Sequence, residues 1–167
     1  MLQPVVRRTW APKGQTPIQH SWDRHDRLSV ITALTLAPGR RRLSLYWHCQ
    51  RENIRGEHVM AFLKRLRRAI RRRWVLIWDR WSVHRCKVVR EYLENQGEHI
   101  HVEWLPAYAP DLNPAEQVWN HAKYSDLANF IPEDCDQLHG HVDASIADQR
   151  RQPPLLRSFF KTAGLEL

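Results

Sequence analysis

The stretch Leu105-Pro-Ala-Tyr-Ala-Pro-Asp-Leu-Asn-Pro-Ala-Glu116 sets three prolines, two acids and an asparagine between an apolar run and a helical pattern. Upstream, Asp79 ends a different apolar run, Trp74-Val-Leu-Ile-Trp-Asp79. Carboxylates at the ends of neighbouring core elements are the ligands that hard cations such as Mg²⁺ prefer. Two such ions held about 3.5–4 Å apart activate a water or a 3′-hydroxyl and stabilise the leaving oxygen in phosphodiester displacement. The residues therefore point to metal-dependent chemistry on nucleic acid, with Asp79 and Glu116 as catalytic groups and metal ligands. Each acid also has a structural explanation. A charge at the end of a buried run is costly unless it is paired, capping or metal-bound, and Asp79 could cap the turn into the next helix, although Ser82 is better placed for that. Asn113 is a good N-cap, Pro114 suits the first helical position, and Glu116 then falls third, as in a capping box with Asn in place of Ser or Thr. A helix N-terminus also holds a glutamate rigidly, so the two roles are not exclusive.

The elements that must position these acids follow from the pattern of the chain. Residues 1–26 read as an extended segment and a loop punctuated by Pro12, Gly14 and Pro17. Residues 27–36 and 42–49 read as the arms of a hairpin turned at Pro38-Gly39. Val59, Phe62, Leu63, Leu66 and Ile70 recur at helical spacing and predict a helix over 55–73. Lys64, Arg65, Arg68 and Arg72, with Arg67 and Arg71, project mostly from its other faces. Charge runs are usually solvated, but charges of one sign with few acids to pair with favour a phosphate-facing surface. Residues 74–79 fit a strand buried on both faces. A helix at 83–96 follows, ended by Asn95 and Gly97. The strand at 99–105 puts Ile100, Val102 and Trp104 on one face, with His99 and His101 on the other. Helices are expected at 114–130, 133–149 and 154–163. Strand–helix–strand alternation implies a right-handed crossover and a parallel pair in a mixed α/β sheet. Residues at the C-terminal ends of such strands gather at one edge, where α/β proteins place sites.

Composition fits this chemistry. At 167 residues one domain is the default, with 1–132 as its core and 133–167 as a helical tail. The net charge of +8 and pI near 9.9 favour a polyanionic partner, above all nucleic acid. Cys49, Cys86 and Cys135 are far apart, no Cys/His pair has zinc-ligand spacing, and the thiols read as reduced, in a cytoplasmic protein. The pairs His99/His101 and His139/His141 read as surface or strand residues rather than metal ligands. No apolar run approaches the ~20 residues of a membrane span, and the N-terminus is no signal peptide.

The segment Trp78-Asp-Arg-Trp-Ser-Val-His84, followed by Leu105-Pro-Ala-Tyr-Ala-Pro-Asp-Leu-Asn-Pro-Ala-Glu-Gln-Val-Trp119, resembles the DDE transposases of bacterial insertion sequences, in the mariner-like branch labelled DDE superfamily endonuclease. Arg8-Thr-Trp-Ala-Pro-Lys-Gly14 resembles a Trp-x-Pro-x-Gly segment that follows the first strand there. The resemblance runs from Met1 to about Lys123. It implies an RNase H-like fold, Mg²⁺ or Mn²⁺, homo-oligomers, and strand cleavage and transfer at transposon ends and target DNA. It also implies three carboxylates: Asp79 matches the second and Glu116 the third. His84 matches a histidine that orders the site or touches the DNA backbone; Asn120 and Lys123 are candidate DNA contacts. Arg80 departs from the usual Asn or Gly. The first aspartate has no counterpart, since no acid precedes Asp23, and Asp23 and Asp26 fall in the loop before the hairpin. The expectation is thus a domain whose first, central strand is missing and whose sheet has an open seam, filled in part by residues 2–9 or left as a source of instability. As an enzyme such a chain would be weak or inactive alone; the alternative is a non-catalytic remnant that binds DNA or pairs with full-length transposase.

Overall fold

The computed structural model describes residues 7, 8, 10–15 and 28–167. Strand β1 (Ser29–Leu36) runs antiparallel to β2 (Leu43–Gln50), with Ser29 opposite Gln50 and Leu36 opposite Leu43. Their turn closes through Arg40 N–H donating to the Ala37 carbonyl at 2.8 Å, and Arg40, not Gly39, holds the positive φ of 54°. Helix α1 (Gly56–Ala69) leads to β3 (Trp74–Trp78), helix α2 (Lys87–Glu94) and β4 (Ile100–Trp104). β4 lies parallel to β3, Trp74 opposite Ile100 and Trp78 opposite Trp104, as the alternation requires. The chain then passes through a 3₁₀ turn (Pro110–Leu112) into α3 (Pro114–His121), a π turn (Ala122–Asp126), α4 (Cys135–Arg150) and α5 (Pro153–Thr162).

The hairpin is apolar on both faces, and each face builds a different core. Val30 and Leu34 of β1, with Leu43, Leu45, Trp47 and Cys49 of β2, pack with Val118 of α3, Leu138, Val142 and Ile146 of α4, and Leu156 and Phe159 of α5. Ile31, Ala33 and Tyr46 point the other way, toward Val59, Phe62, Leu63 and Leu66 of α1, Val89 and Leu93 of α2, and Trp78 and Ile100. Residues 133–167 therefore share a core with the hairpin and α3. The helix expected over 114–130 stops at His121 because the backbone widens: Leu127 N–H donates to the Ala122 carbonyl, a π-type bond.

Among the described residues β1 pairs only with β2 and β3 only with β4, so the chain carries two two-stranded sheets that no further strand joins. The expectation that residues 2–9 bridge such a seam lies outside the described residues, apart from Arg7 and Arg8, which are in no strand. The expectation that 74–79 is buried on both faces is corrected. Trp74, Leu76 and Trp78 face the α1/α2 core, whereas Val75 and Ile77 are 53% and 61% exposed. Among the described residues helices cover one side of the β3/β4 pair only; on the other, Val75 lies beside His101 and Ile77 beside Glu103. An apolar run records hydrophobicity, not how many layers the fold lays over it. No helix among the described residues is long and apolar enough to cross a membrane.

One close approach fixes how α1 meets α2. A Cβ built on Gly56, the first residue of α1, would collide with Sγ of Cys86, the N-cap of α2, and sit 3.1 Å from Cγ1 of Val88. Gly56→Ala should cost about 1–3 kcal/mol through overpacking. Much of that should return when Cys86→Ala removes the sulfur, giving a coupling that a double-mutant cycle in urea would measure. Additive losses would show that the contact is not the cause.

Candidate active site

Asp79 directly follows β3, and the loop after it is folded around its carboxylate. Oδ1 accepts a hydrogen bond from Trp81 N–H at 2.9 Å, closing a tight turn of the kind aspartates favour. The same oxygen lies 2.9 Å from Nδ1 of His84, which is also 3.4 Å from the Asp79 carbonyl. The carboxylate can only accept, so Nδ1 carries the proton. Among the described residues Oδ2 has no hydrogen-bond partner. Asp79 caps the turn that leads toward the next helix, while α2 itself starts only at Lys87, after N-cap Cys86, so Ser82 does not cap α2.

His84 is locked from three sides. Its ring stacks on Trp78 with centroids 4.3 Å apart and meets Trp81 edge-on at 5.3 Å, besides its bond to Asp79. Burial lowers its pKa below the ordinary imidazole value, and the Asp79 charge opposes that shift. The neutral ring is favoured, so His84 serves as a positioned hydrogen-bond donor to Asp79.

Glu116 enters from the other loop. Asn113 caps α3, but its Oδ1 accepts from Ala115 N–H at 3.1 Å, and its own N–H donates to the Pro110 carbonyl at 2.9 Å. The reciprocal half of the expected capping box is thus taken by backbone, and the Glu116 carboxylate has no hydrogen-bond partner among the described residues. Pro114 at the first helical position still holds the helix start rigid. Burial raises the Glu116 pKa, and the Asp79 charge raises it further. That second cause means that the fold brings the two acids within electrostatic reach.

Two residues tie the acid-bearing loops together. Leu105 N–H donates to the Trp78 carbonyl at 2.9 Å, continuing the β3/β4 ladder into the proline-rich junction. Arg80 Nε donates to the Leu105 carbonyl at 3.3 Å, so the side chain that departs from the usual Asn or Gly serves as a strap between the loops. Sequence reasoning gave Arg80 no role, because its bond joins segments remote in sequence, and missed the Trp78–His84 stack, which depends on how the loop after β3 folds back. Exposed Trp81 and Tyr108 lie on these loops, Tyr108 with a positive φ of 59°, and exposed Trp104 ends β4 beside them.

The other predicted residues are distributed less tightly. Asn120 is exposed on α3 and contacts Gln117; Lys123 lies in the π turn, its Nζ 5.4 Å from the Tyr124 ring centroid. Lys64 lies over Tyr92 of α2 at 5.8 Å, and Arg65 donates to the Trp47 carbonyl at 2.8 Å, which ties it to the hairpin. Arg68 and Arg72 are exposed. The helix expected over 55–73 ends at Ala69, so Arg72 lies just beyond α1, and no contact among the described residues joins these cations to Asp79 or Glu116. Asp23 and Asp26 lie outside the described residues, and no third acid among the described residues completes a cluster with the two.

The fold and site define an RNase H-like α/β domain with two neighbouring carboxylates at the ends of separate loops. The chain belongs to the family described as DDE superfamily endonuclease, which matches residues 1–139. None of the curated proteins matches it in sequence. Among solved structures it is similar to the Mos1 mariner paired end complex with Mn, with a TM-score of 0.63 and 15% identity, over 98% of this chain and 48% of that one. The Mos1 transposase paired-end complex with left transposon end gives 0.64 and 16%, over 98% and 48%. The Mos1 transposase catalytic domain, solved with Raltegravir and Mn, gives 0.57 and 15%, over 82% and 78%. The chain therefore spans about half the length of the paired-end chains it matches.

Proposed function

We propose that this chain is a transposase catalytic domain acting in metal-dependent cleavage and transfer of DNA strands, with Asp79 and Glu116 as its carboxylate ligands. One observation carries the reading: two acids from loops remote in sequence lie within electrostatic reach, each with a carboxylate oxygen that no described residue engages. Holding two negative charges together costs free energy that a cation would offset. Their chemistry fits Mg²⁺ or Mn²⁺, which take carboxylate oxygens. Such an ion, when bound, supplies charge stabilisation and an activated hydroxyl for phosphodiester displacement. The protein's part is positional: His84 and Trp81 N–H fix the Asp79 carboxylate, Pro114 and Asn113 fix the start of the Glu116 helix, and Arg80 holds the two loops in register. DNA is the substrate, from the family and from the basic charge, and the paired-end assemblies of the Mos1 relatives favour a homo-oligomer.

Nicking of supercoiled DNA tests this. Mn²⁺-dependent nicking that Asp79→Asn and Glu116→Gln both abolish is the expected result. Binding without any cleavage would overturn the catalytic reading in favour of a DNA-binding remnant, a reading favoured by the absence of a third described acid beside the two. In either case Lys64 and Arg68 on α1 and Arg72 just beyond it are the proposed phosphate contacts, with Arg65, His84, Asn120 and Lys123 as further candidates. Replacing Arg68 and Arg72 together with alanine should lower the slope of log affinity against log salt by about 2, read by fluorescence anisotropy on a labelled duplex. An unchanged slope would place the DNA elsewhere.

A further inference from the structure

On the face of the molecule built by β2 and α4, three polar pairs stand in a row. Trp47, Cys49 and Arg51 alternate along β2 and its end, and Asp143, His139 and Asp136 descend α4 beside them. The outer two pairs are closed: Trp47 Nε1 donates to Asp143 Oδ1 at 2.6 Å, and Arg51 forms an ion pair with Asp136. Between them the buried Cys49 sulfur, a His139 ring nitrogen and an Asp143 carboxylate oxygen all lie within 4.8 Å of one another. From this geometry we infer a transition-metal site, of the kind that takes Zn²⁺, at Cys49, His139 and Asp143.

The donor set carries the choice of ion. A thiolate, an imidazole and one carboxylate suit zinc, whereas Mg²⁺ and Ca²⁺ seek oxygen alone. Tetrahedral zinc at about 2.0–2.3 Å from each donor sets those donors roughly 3.3–3.8 Å apart. Donors already within 4.8 Å reach that by small side-chain rotations. His139 and Asp143 stand one helical turn apart on α4, the spacing at which two side chains converge on one ion. Trp47 already orients the carboxylate, as a partner behind a metal ligand does. A fourth position is left to water. Burial and the Asp143 charge keep the Cys49 thiol protonated, with its pKa raised to about 12. Binding therefore releases that proton to solvent, as coordination by a divalent ion does. The bound ion would pin α4 to β2 of the hairpin.

Cysteine–histidine spacing gave no hint of this, because Cys49 and His139 belong to elements far apart in sequence; His139, expected as a surface or strand residue, sits half-buried on α4. Co²⁺, which occupies zinc sites and reports thiolate ligands by an intense near-ultraviolet charge-transfer band, is the probe. The full chain should bind one equivalent with that band in the presence of excess Mg²⁺, and Zn²⁺ should displace it and raise the melting temperature. His139→Ala, at a half-buried helix position outside the core, should weaken binding at least ~10-fold while the chain stays folded, and Cys49→Ser should remove the band. Cys86→Ser and Asp79→Asn should leave both readouts unchanged, which separates this site from the acids of the proposed active centre. No charge-transfer band, a band that survives Cys49→Ser, or a Zn²⁺ effect indifferent to His139→Ala would overturn the assignment.

Discussion

Glu116→Gln should remove most of the stabilisation by Mn²⁺ and, in the metal-free protein, raise the melting temperature at neutral pH. The two effects have one origin. Glu116 is half-buried beside Asp79, and both burial and that neighbouring charge disfavour its ionised form. Its folded pKa therefore lies above the ordinary value of 4.5. Between those two values the native state keeps a proton that the unfolded chain has lost, so stability falls as pH rises through that window and stays lower above it. Glutamine carries no such penalty, so its advantage over the parent should open as pH rises above the ordinary value and through the raised folded pKa. A cation reverses the balance by binding the ionised pair. At a Mn²⁺ concentration 100-fold above Kd the parent should gain about 2.7 kcal/mol; a 100-fold loss of affinity cuts that to about 0.4 kcal/mol. A loss that large is expected because even groups behind a metal ligand are worth 10–100-fold. Asp79→Asn should lose the Mn²⁺ effect similarly. Thermal melts with and without Mn²⁺ across this pH range check both halves; an equal Mn²⁺ shift in parent and Glu116→Gln would remove Glu116 from the site.

What the sequence made legible was what short-range chemistry dictates. The hairpin, the parallel strand pair and the Asn113-Pro114 helix start were readable because alternation, apolar runs and cap residues act within a few positions. Asp79 and Glu116 were readable because each ends such a local signal. The exposure of Val75 and Ile77 was not, since it depends on which helices cover the β3/β4 pair. Nor was the end of α3 at His121, where a π turn interrupts a continuous helical pattern. The Arg80 strap and the Cys49–His139–Asp143 cluster were out of reach for the same reason: each joins groups whose separation along the chain carries no periodicity.

Trp78→Ala should cost about 3–5 kcal/mol of stability and weaken Mn²⁺ binding with it, because Trp78 connects core and site. The side chain is buried in the α1/α2 core, and its ring stacks with His84 and with Trp104 of β4, at 4.3 and 5.5 Å. Truncation opens a cavity and frees the imidazole that holds Asp79 Oδ1. The carboxylate then samples orientations it does not sample in the parent, and a cation must restrict them on binding. Trp78→Phe separates the two contributions. Its ring keeps most of the stack, and it removes an indole N–H that has no hydrogen-bond partner among the described residues, a group costly to bury. The gain from removing that donor should offset part of the lost volume, leaving a net cost below about 1.5 kcal/mol and Mn²⁺ affinity close to that of the parent. Urea denaturation and Mn²⁺ titration of the two variants give the comparison. Equal losses for Phe and Ala would mean that the indole nitrogen is engaged; an unchanged Mn²⁺ affinity in a destabilised Trp78→Ala would mean that Asp79 is positioned without the His84 stack.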